Sequence, residues 1–356
     1  MPMKKHSLFI VYTALFLVLC LLPALGLAVL GPSPLLANES APRTPALRNR
    51  DGSFNREVLS DTADYVETRF AFRPWLVSAR SYLYEKLLQS SAEPQVILGR
   101  GGELFYTSTL NDYSGIGLSD AQLRQIAAHL KKIQDGLEAQ GKVFAFAVAP
   151  NKNSLIPDAM PGRFPENLEA SNYRRLLPLL QEAGVHTVDL HSVLSGRADL
   201  YYRTDSHWTA EGAAVAADAL LQSVGRDSAF SSGPFVQQGR HIGDLYQMLY
   251  PTGKGREAET VYAPGFVYET EADPRDGNAI TIRSTSSAGS GSLYCLRDSF
   301  GIALYPYLAE AFARAEFSRT ADYSLDAFEE LEADTVILEI VERNLPQLLP
   351  AAGDAA

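Results

Sequence analysis

Asp205 and His207 stand two residues apart in TDSHWT (204–209), and Ser299 lies in RDSFG, between an apolar run and a helix-forming one. A hydroxyl, an imidazole and a carboxylate are the groups of nucleophilic acyl chemistry. Serine attacks, histidine takes its proton, and the acid fixes the imidazole tautomer and stabilises the imidazolium. In extended backbone, side chains two residues apart project to one side. Asp205 would then hold His207, while Ser206 and Trp208 face away and Trp208 packs. A sharp strand-to-helix turn lifts a serine above a sheet and offers backbone N–H groups to an oxyanion. Plainer readings stand beside these. Asp298 or Ser299 can be only the cap of the next helix, and Asp-x-His can be two neighbouring loop residues.

The elements that must position these groups alternate. Ser119 to Gln140 reads as a helix with a Ser-x-x-Gln capping box, Gly141 following its end. KVFAFAVAP (142–150) reads as a buried strand. Residues 168–183 read as a helix stopped by Gly184, VHTVDL as a strand, and Thr209 as the cap of an Ala-rich helix through Leu221. SLYCL (292–296) and TVILEIV (335–341) are further strands, with IALYPYLAEAFAR a helix between them. Residues 225–290, rich in Gly, Ser and Pro, read as a long irregular insertion. This order predicts an α/β fold with a mainly parallel sheet flanked by helices. Ligands bind at the carboxyl ends of such strands. Asn151 and Asn153, Asp298 and Ser299, and Glu342 to Asn344 fall there.

Upstream, residues 54–90 read as amphipathic helix with a new start at Pro74, and QVILGRGGELFY as a β-hairpin. Gly99 to Gly102 is the hairpin turn, not a phosphate loop, since no Lys-Ser/Thr and helix follow. Residues 32–53 carry prolines and little periodicity, as a flexible stalk does. Ser7 to Leu30 has no charge. As a helix it spans roughly 36 Å, enough for a bilayer core of about 30 Å. Lys4 and Lys5 before it place the amino terminus in the cytoplasm and the body outside. The length favours an uncleaved anchor, although Ala28 and Ala37 leave cleavage open.

The chain has 356 residues, 31 Lys and Arg, 42 Asp and Glu, and a formal net charge of -11. That balance argues against a nucleic-acid partner and, outside the cell, makes a neutral glycan a better partner than an acidic one. Cys20 falls in the apolar run and Cys295 in a strand, so no disulfide is expected. His186, His191 and His241 make no metal-ligand spacing with His207; no metal and no cofactor are expected. Gly243-Asp244-Leu245 reads as a turn. Tyr201–Tyr202 and Tyr305–Tyr307 read equally as a sugar platform or as core.

Taken together, LYYRTDSHWTAEGA (200–213) and LRDSFGIALYPYLAEAF (296–312) resemble the SGNH hydrolase superfamily, and within it the AlgX- and AlgJ-type polysaccharide O-acetylation proteins and their DHHW relatives. FAVAPNKNSLIPDAMP, ETRFAFRPW, VILGRGGELFY and VILEIVERNL add support. The resemblance implies an SGNH-like domain over 54–349, after an anchor (1–31) and stalk (32–53) and before a tail (350–356). It implies Ser299 as nucleophile, His207 as base and Asp205 as orienting acid, in an Asp-x-His motif placed before the serine. Tyr305 and Arg343 are similar to residues that the alginate branch places at its site. Asn151, Asn153 and Asn344 are further donor candidates. Arg297 departs from the family's glycine before Asp-Ser. The resemblance implies a membrane-tethered serine O-acetyltransferase with a polysaccharide acceptor, an acetyl donor and a membrane O-acyltransferase partner. A carbohydrate acetylesterase, or a silent polysaccharide-binding scaffold, are the alternatives.

Overall fold

The computed structural model describes residues 5–36, 39–255, 257–276, 279–328 and 331–350. Lys4, the side chains of Lys5 and His6, Ala37 and the tail beyond 350 lie outside the described residues, and with them the charge signal before the apolar run. The chain divides into two compact units, residues 1–96 with 244–254, and residues 97–243 with 255–356.

In the first unit, α1 (Lys5–Leu30) is a single apolar helix, and its Leu8–Leu30 stretch is long and apolar enough to be a membrane anchor or a signal sequence. α2 (Val58–Arg69) and α3 (Arg73–Leu83) follow, Pro74 standing in the first turn of α3 as expected; α3 runs on into a wider turn over Tyr84–Leu88. α10 (Asp244–Leu249) completes the unit. The expected stalk is tied down where it is described. Ser33 N–H donates to Arg69 O at 2.8 Å, and Arg73 forks onto Glu39 at 2.6 and 2.8 Å.

In the second unit, a hairpin of β1 (Val96–Leu98) and β2 (Leu104–Tyr106) precedes α4 (Leu110–Tyr113). α5 (Asp120–Ala139) begins at the expected capping box: Ser119 Oγ accepts from Gln122 N–H while Gln122 reaches back to Ser119 N–H. Then come β3 (Val143–Ala149), α6 (Lys152–Leu155), α7 (Asn172–Ala183), β4 (Thr187–Val188), α8 (Leu190–Leu194) and α9 (Ala210–Ser223), the last capped by Thr209. VHTVDL gives only two residues to the sheet, because Asp189 turns instead to cap α8. The remaining elements are β5 (Phe235–His241), β6 (Glu257–Tyr262), β7 (Glu269–Thr270), β8 (Thr281–Thr285), β9 (Ser292–Leu296), α11 (Gly301–Ala311), β10 (Arg314–Ser318) and β11 (Thr335–Val341).

Among the described residues the central sheet has the order β4-β3-β11-β9-β10-β8-β7. The strands from β4 to β10 run parallel; β8 and β7 add antiparallel. β3 and β11 are buried on both faces, and helices flank them: α9 and α11 on one face, α5 and α7 on the other. This is the α/β arrangement that the sequence pattern implied, with a mixed edge it did not.

Residues 225–290 are not an irregular insertion. They contain the β5–β6 ribbon and the strands β7 and β8. Nor does the helix of 302–314 reach its expected end, since Arg314–Ser318 pairs between β9 and β8.

Candidate functional site

The loop that carries Asp205 and His207 is a tight turn, not extended backbone. Its ends pair at Tyr201 and Trp208, and Tyr202 N–H donates to His207 O at 3.2 Å. Asp205 Oδ1 accepts from the backbone N–H of His207 at 2.9 Å and from its Nδ1 at 2.7 Å. The two side chains therefore meet through an Asx-type turn. Ser206 does not face away: its Oγ lies 3.3 Å from His207 Nδ1. Trp208 packs as expected, and its indole N–H donates to Phe300 O at 3.1 Å.

That bond stitches the loop to the turn after β9. There Ser299 Oγ lies 2.9 Å from His207 Nε2. Phe300 is fully buried, with its ring 4.8 Å from the imidazole and 4.9 Å from Trp208. Neither Asp298 nor Ser299 caps α11, whose preceding residue Phe300 makes no side-chain cap bond. Asp298 pins the turn instead. One of its oxygens accepts Phe300 N–H at 2.9 Å; the other accepts Val341 N–H at 2.8 Å and Asn344 Nδ2 at 3.2 Å.

Arg297 fits because Gly301 leaves room for it. Its side chain is buried and crosses Gly301, where a Cβ would stand 2.3 Å from Arg297 Cδ. Its guanidinium donates to Asp298 O at 3.1 Å and Pro274 O at 3.4 Å. Burial pushes its pKa down.

The other candidates fall in several places. Arg343 lies over the rings of Phe300 and Tyr106, 5.5 and 5.6 Å from their centres, one ring removed from His207. Asn344 reaches Asp298. Tyr305 is in the core, donating to Thr270 Oγ1 at 2.7 Å behind the ring of Tyr268. Asn151 is spent on a buried polar joint, its side chain on Asp112 at 3.3 Å and its N–H on Glu342 at 3.0 Å. Asn153 is fully buried, and neither amide atom has a partner among the described residues.

Sequence reasoning missed three residues. His241, set aside for lack of metal spacing, ends β5 and places Nε2 2.8 Å from Asp205 Oδ2 while stacking on Tyr202 at 3.6 Å. Gly243 lets this segment pass, since a Cβ there would meet Thr204 O at 2.1 Å. Lys152 is buried. Its ammonium reaches the carbonyls of Arg203 (2.6 Å), Leu104 (2.9 Å) and Asp205 (3.4 Å) and the Glu103 carboxylate (2.8 Å). Glu257 accepts the N–H groups of Arg203 and Thr204 at 2.5 and 2.8 Å. Lysine and glutamate thus grip both polarities of the loop's backbone. A lysine in PNKN was the one visible hint.

Burial works against the charge of Asp205, but hydrogen bonds from two imidazoles hold its carboxyl well below the usual range. As a carboxylate it accepts N–H from both rings. This assigns the proton of His207 to Nδ1 and leaves Nε2 to accept from Ser299 O–H. Asp205 is nearly sealed and His207 about a quarter exposed, at 7% and 26% of their side chains. They open on a cleft of about 550 Å³ lined by Tyr202, Tyr262, Phe266, Tyr268 and Tyr307. The two tyrosine stretches thus divide: Tyr202 and Tyr307 line the cleft, Tyr201 and Tyr305 pack.

The fold and this site define an SGNH-like α/β protein. Residues 96–280, more than half of the chain, match the family described as SGNH hydrolase-like domain, acetyltransferase AlgX, and the chain belongs to that family. A curated relative, the probable alginate O-acetylase AlgJ of Pseudomonas syringae pv. tomato, is 28% identical over 156 residues, 42% of this chain and 39% of its own. The chain thus spans about two fifths of that relative's length. Among solved structures, Bacillus cereus PatB1 with a sulfonyl adduct superposes with a TM-score of 0.51 at 15% identity, over 66% of this chain and 95% of its own. A DHHW family protein from Eubacterium siraeum gives 0.50 at 14%, over 74% and 97%. These two likenesses are likenesses of fold.

Proposed function

We propose that this protein is a membrane-tethered, extracytoplasmic serine O-acetyltransferase acting on a polysaccharide, its SGNH-like domain running over 54–349. The observation that carries the reading is the unbroken hydrogen-bonded line Ser299–His207–Asp205 at the mouth of an aromatic cleft. His207 Nε2 takes the Ser299 proton as Oγ attacks an acetyl carbonyl. The oxyanion collapses, and the donor alcohol leaves with the proton from His207. A sugar hydroxyl then gives its proton to His207, attacks the acetyl-serine and departs as the acetyl ester, while Ser299 regains its proton. The backbone N–H of Ser299, aided by Arg343, supplies positive potential to the oxyanion. The polymer acceptor is inferred from the name alginate O-acetylase carried by AlgJ relatives, and the anchor from α1. A membrane O-acyltransferase is the proposed source of acetyl groups.

Water in place of the sugar hydroxyl makes the same site an esterase. The test is turnover of an acetyl ester by the full chain, with and without oligosaccharide acceptors, beside Ser299→Ala and His207→Ala. Acetylated oligosaccharide seen by mass spectrometry, with an acetyl group trapped on Ser299, is the expected result. Release of acetate alone selects hydrolysis, and activity that survives Ser299→Ala overturns the assignment of the nucleophile.

A further inference from the structure

Helix α3 is amphipathic in the inverted sense. Ser81 is buried, Ser78 Oγ meets Thr252 Oγ1 at 3.0 Å, and Tyr250 O–H donates to Glu85, so its polar side packs within the first unit. Its apolar side faces out. Trp75, Leu76, Tyr82, Leu83, Leu87 and Leu88 are each more than half exposed. At helical spacing these residues form one stripe, roughly 20 Å long. A stripe of that size is not left in water without reason.

Its place identifies what covers it. Phe72, just before α3, packs on α1 at Gly26, where a Cβ would lie 3.0 Å from its ring. Trp75 shares a groove with Leu30, Gly31 and Pro32. The stripe therefore starts at the carboxyl end of the apolar helix, the level at which α1 leaves a bilayer and tryptophan favours the interface. Arg80 and Lys86 lie over Tyr84 and Tyr82, 5.2 and 6.0 Å from the ring centres, and line the edge of the stripe with polar ends, Lys86 pairing with Glu85 at 3.1 Å.

We propose that the outward face of α3, continued through Leu88, lies in the headgroup and acyl boundary of the bilayer, with Trp75 beside the exit of α1. This rests on reading α1 as a retained anchor. The chain has two tryptophans, and Trp208 is buried, so Trp75 reports on the surface. The test reconstitutes the full chain alone in phosphatidylcholine vesicles carrying a shallow doxyl-lipid quencher, with iodide as the aqueous quencher. Lipid quenching of about twofold, protection from iodide, and loss of the quenchable emission in Trp75→Phe are expected. Leu83→Asp with Leu87→Asp should open Trp75 to iodide while the chain still floats with vesicles through α1. A chain that fails to float overturns the anchor reading and this one together. A chain that floats with Trp75 open to iodide overturns this one alone, and leaves the stripe to a protein partner.

Discussion

At Asp205 one carboxylate is shared by two imidazoles, each ring on a different oxygen. His241→Leu removes one donor and should lower kcat about tenfold through a looser Asp205. His241→Gln keeps a donor and should restore most of the loss; an unchanged kcat in His241→Leu would remove His241 from the site's workings. Ser299→Ala should lower acetyl transfer by roughly 10³-fold or more with the fold intact, measured by turnover and thermal melting.

The loop 203–208 has little regular structure and depends on neighbours for its shape. Lys152→Met would leave Glu103 with only the longer contact to Arg203 at 3.6 Å, and take a donor from the carbonyls of Leu104, Arg203 and Asp205. A loss of about 3 kcal/mol in chemical denaturation is expected, with a fall in kcat. Gly301→Ala should cost about 2 kcal/mol, because Arg297 cannot move from a place that is itself buried. The elements legible in sequence were those with a strong local signal: the capping box of α5, the unbroken apolar runs of β3, β9 and β11, and the Ala-rich α9. β8 was not legible because Ser284 holds an inward position and breaks the apolar alternation. β10 was hidden by its helix-like neighbours. In the site, Asp205 and His207 are close in sequence, and Ser299 sits at a recognisable turn. His241, Lys152 and Glu257 act across 36 to 54 residues, and no local pattern marks such a contact.

Over the whole second unit, charge burial sets a pH response distinct from catalysis. Asp112 is pushed up to about 6 by burial, and Glu342 up to about 7 by burial and the charge of Asp112. Between their ordinary values and these, the folded protein holds protons that the unfolded chain releases. Stability should therefore be fullest with respect to these groups below about pH 4 and fall as pH rises toward 7, by the order of 3 kcal/mol for Glu342. Asp205 acts oppositely, lending stability that is lost only as pH falls through its depressed value. Glu342→Gln, which mimics the protonated acid, should flatten the decline in melting temperature between pH 5 and 8; an unchanged slope would place the response elsewhere. The cleft wall that includes Tyr268 is attached to the sheet by β7, only two residues long, and by the bond from Tyr305 to Thr270. Under the proposed function, Ser299 follows a parallel strand, while an acceptor in the cleft would meet that thin margin. On that reading, insertions or exchanges in 262–275 would retune which polymer is accepted and leave the line from Ser299 to Asp205 unaltered.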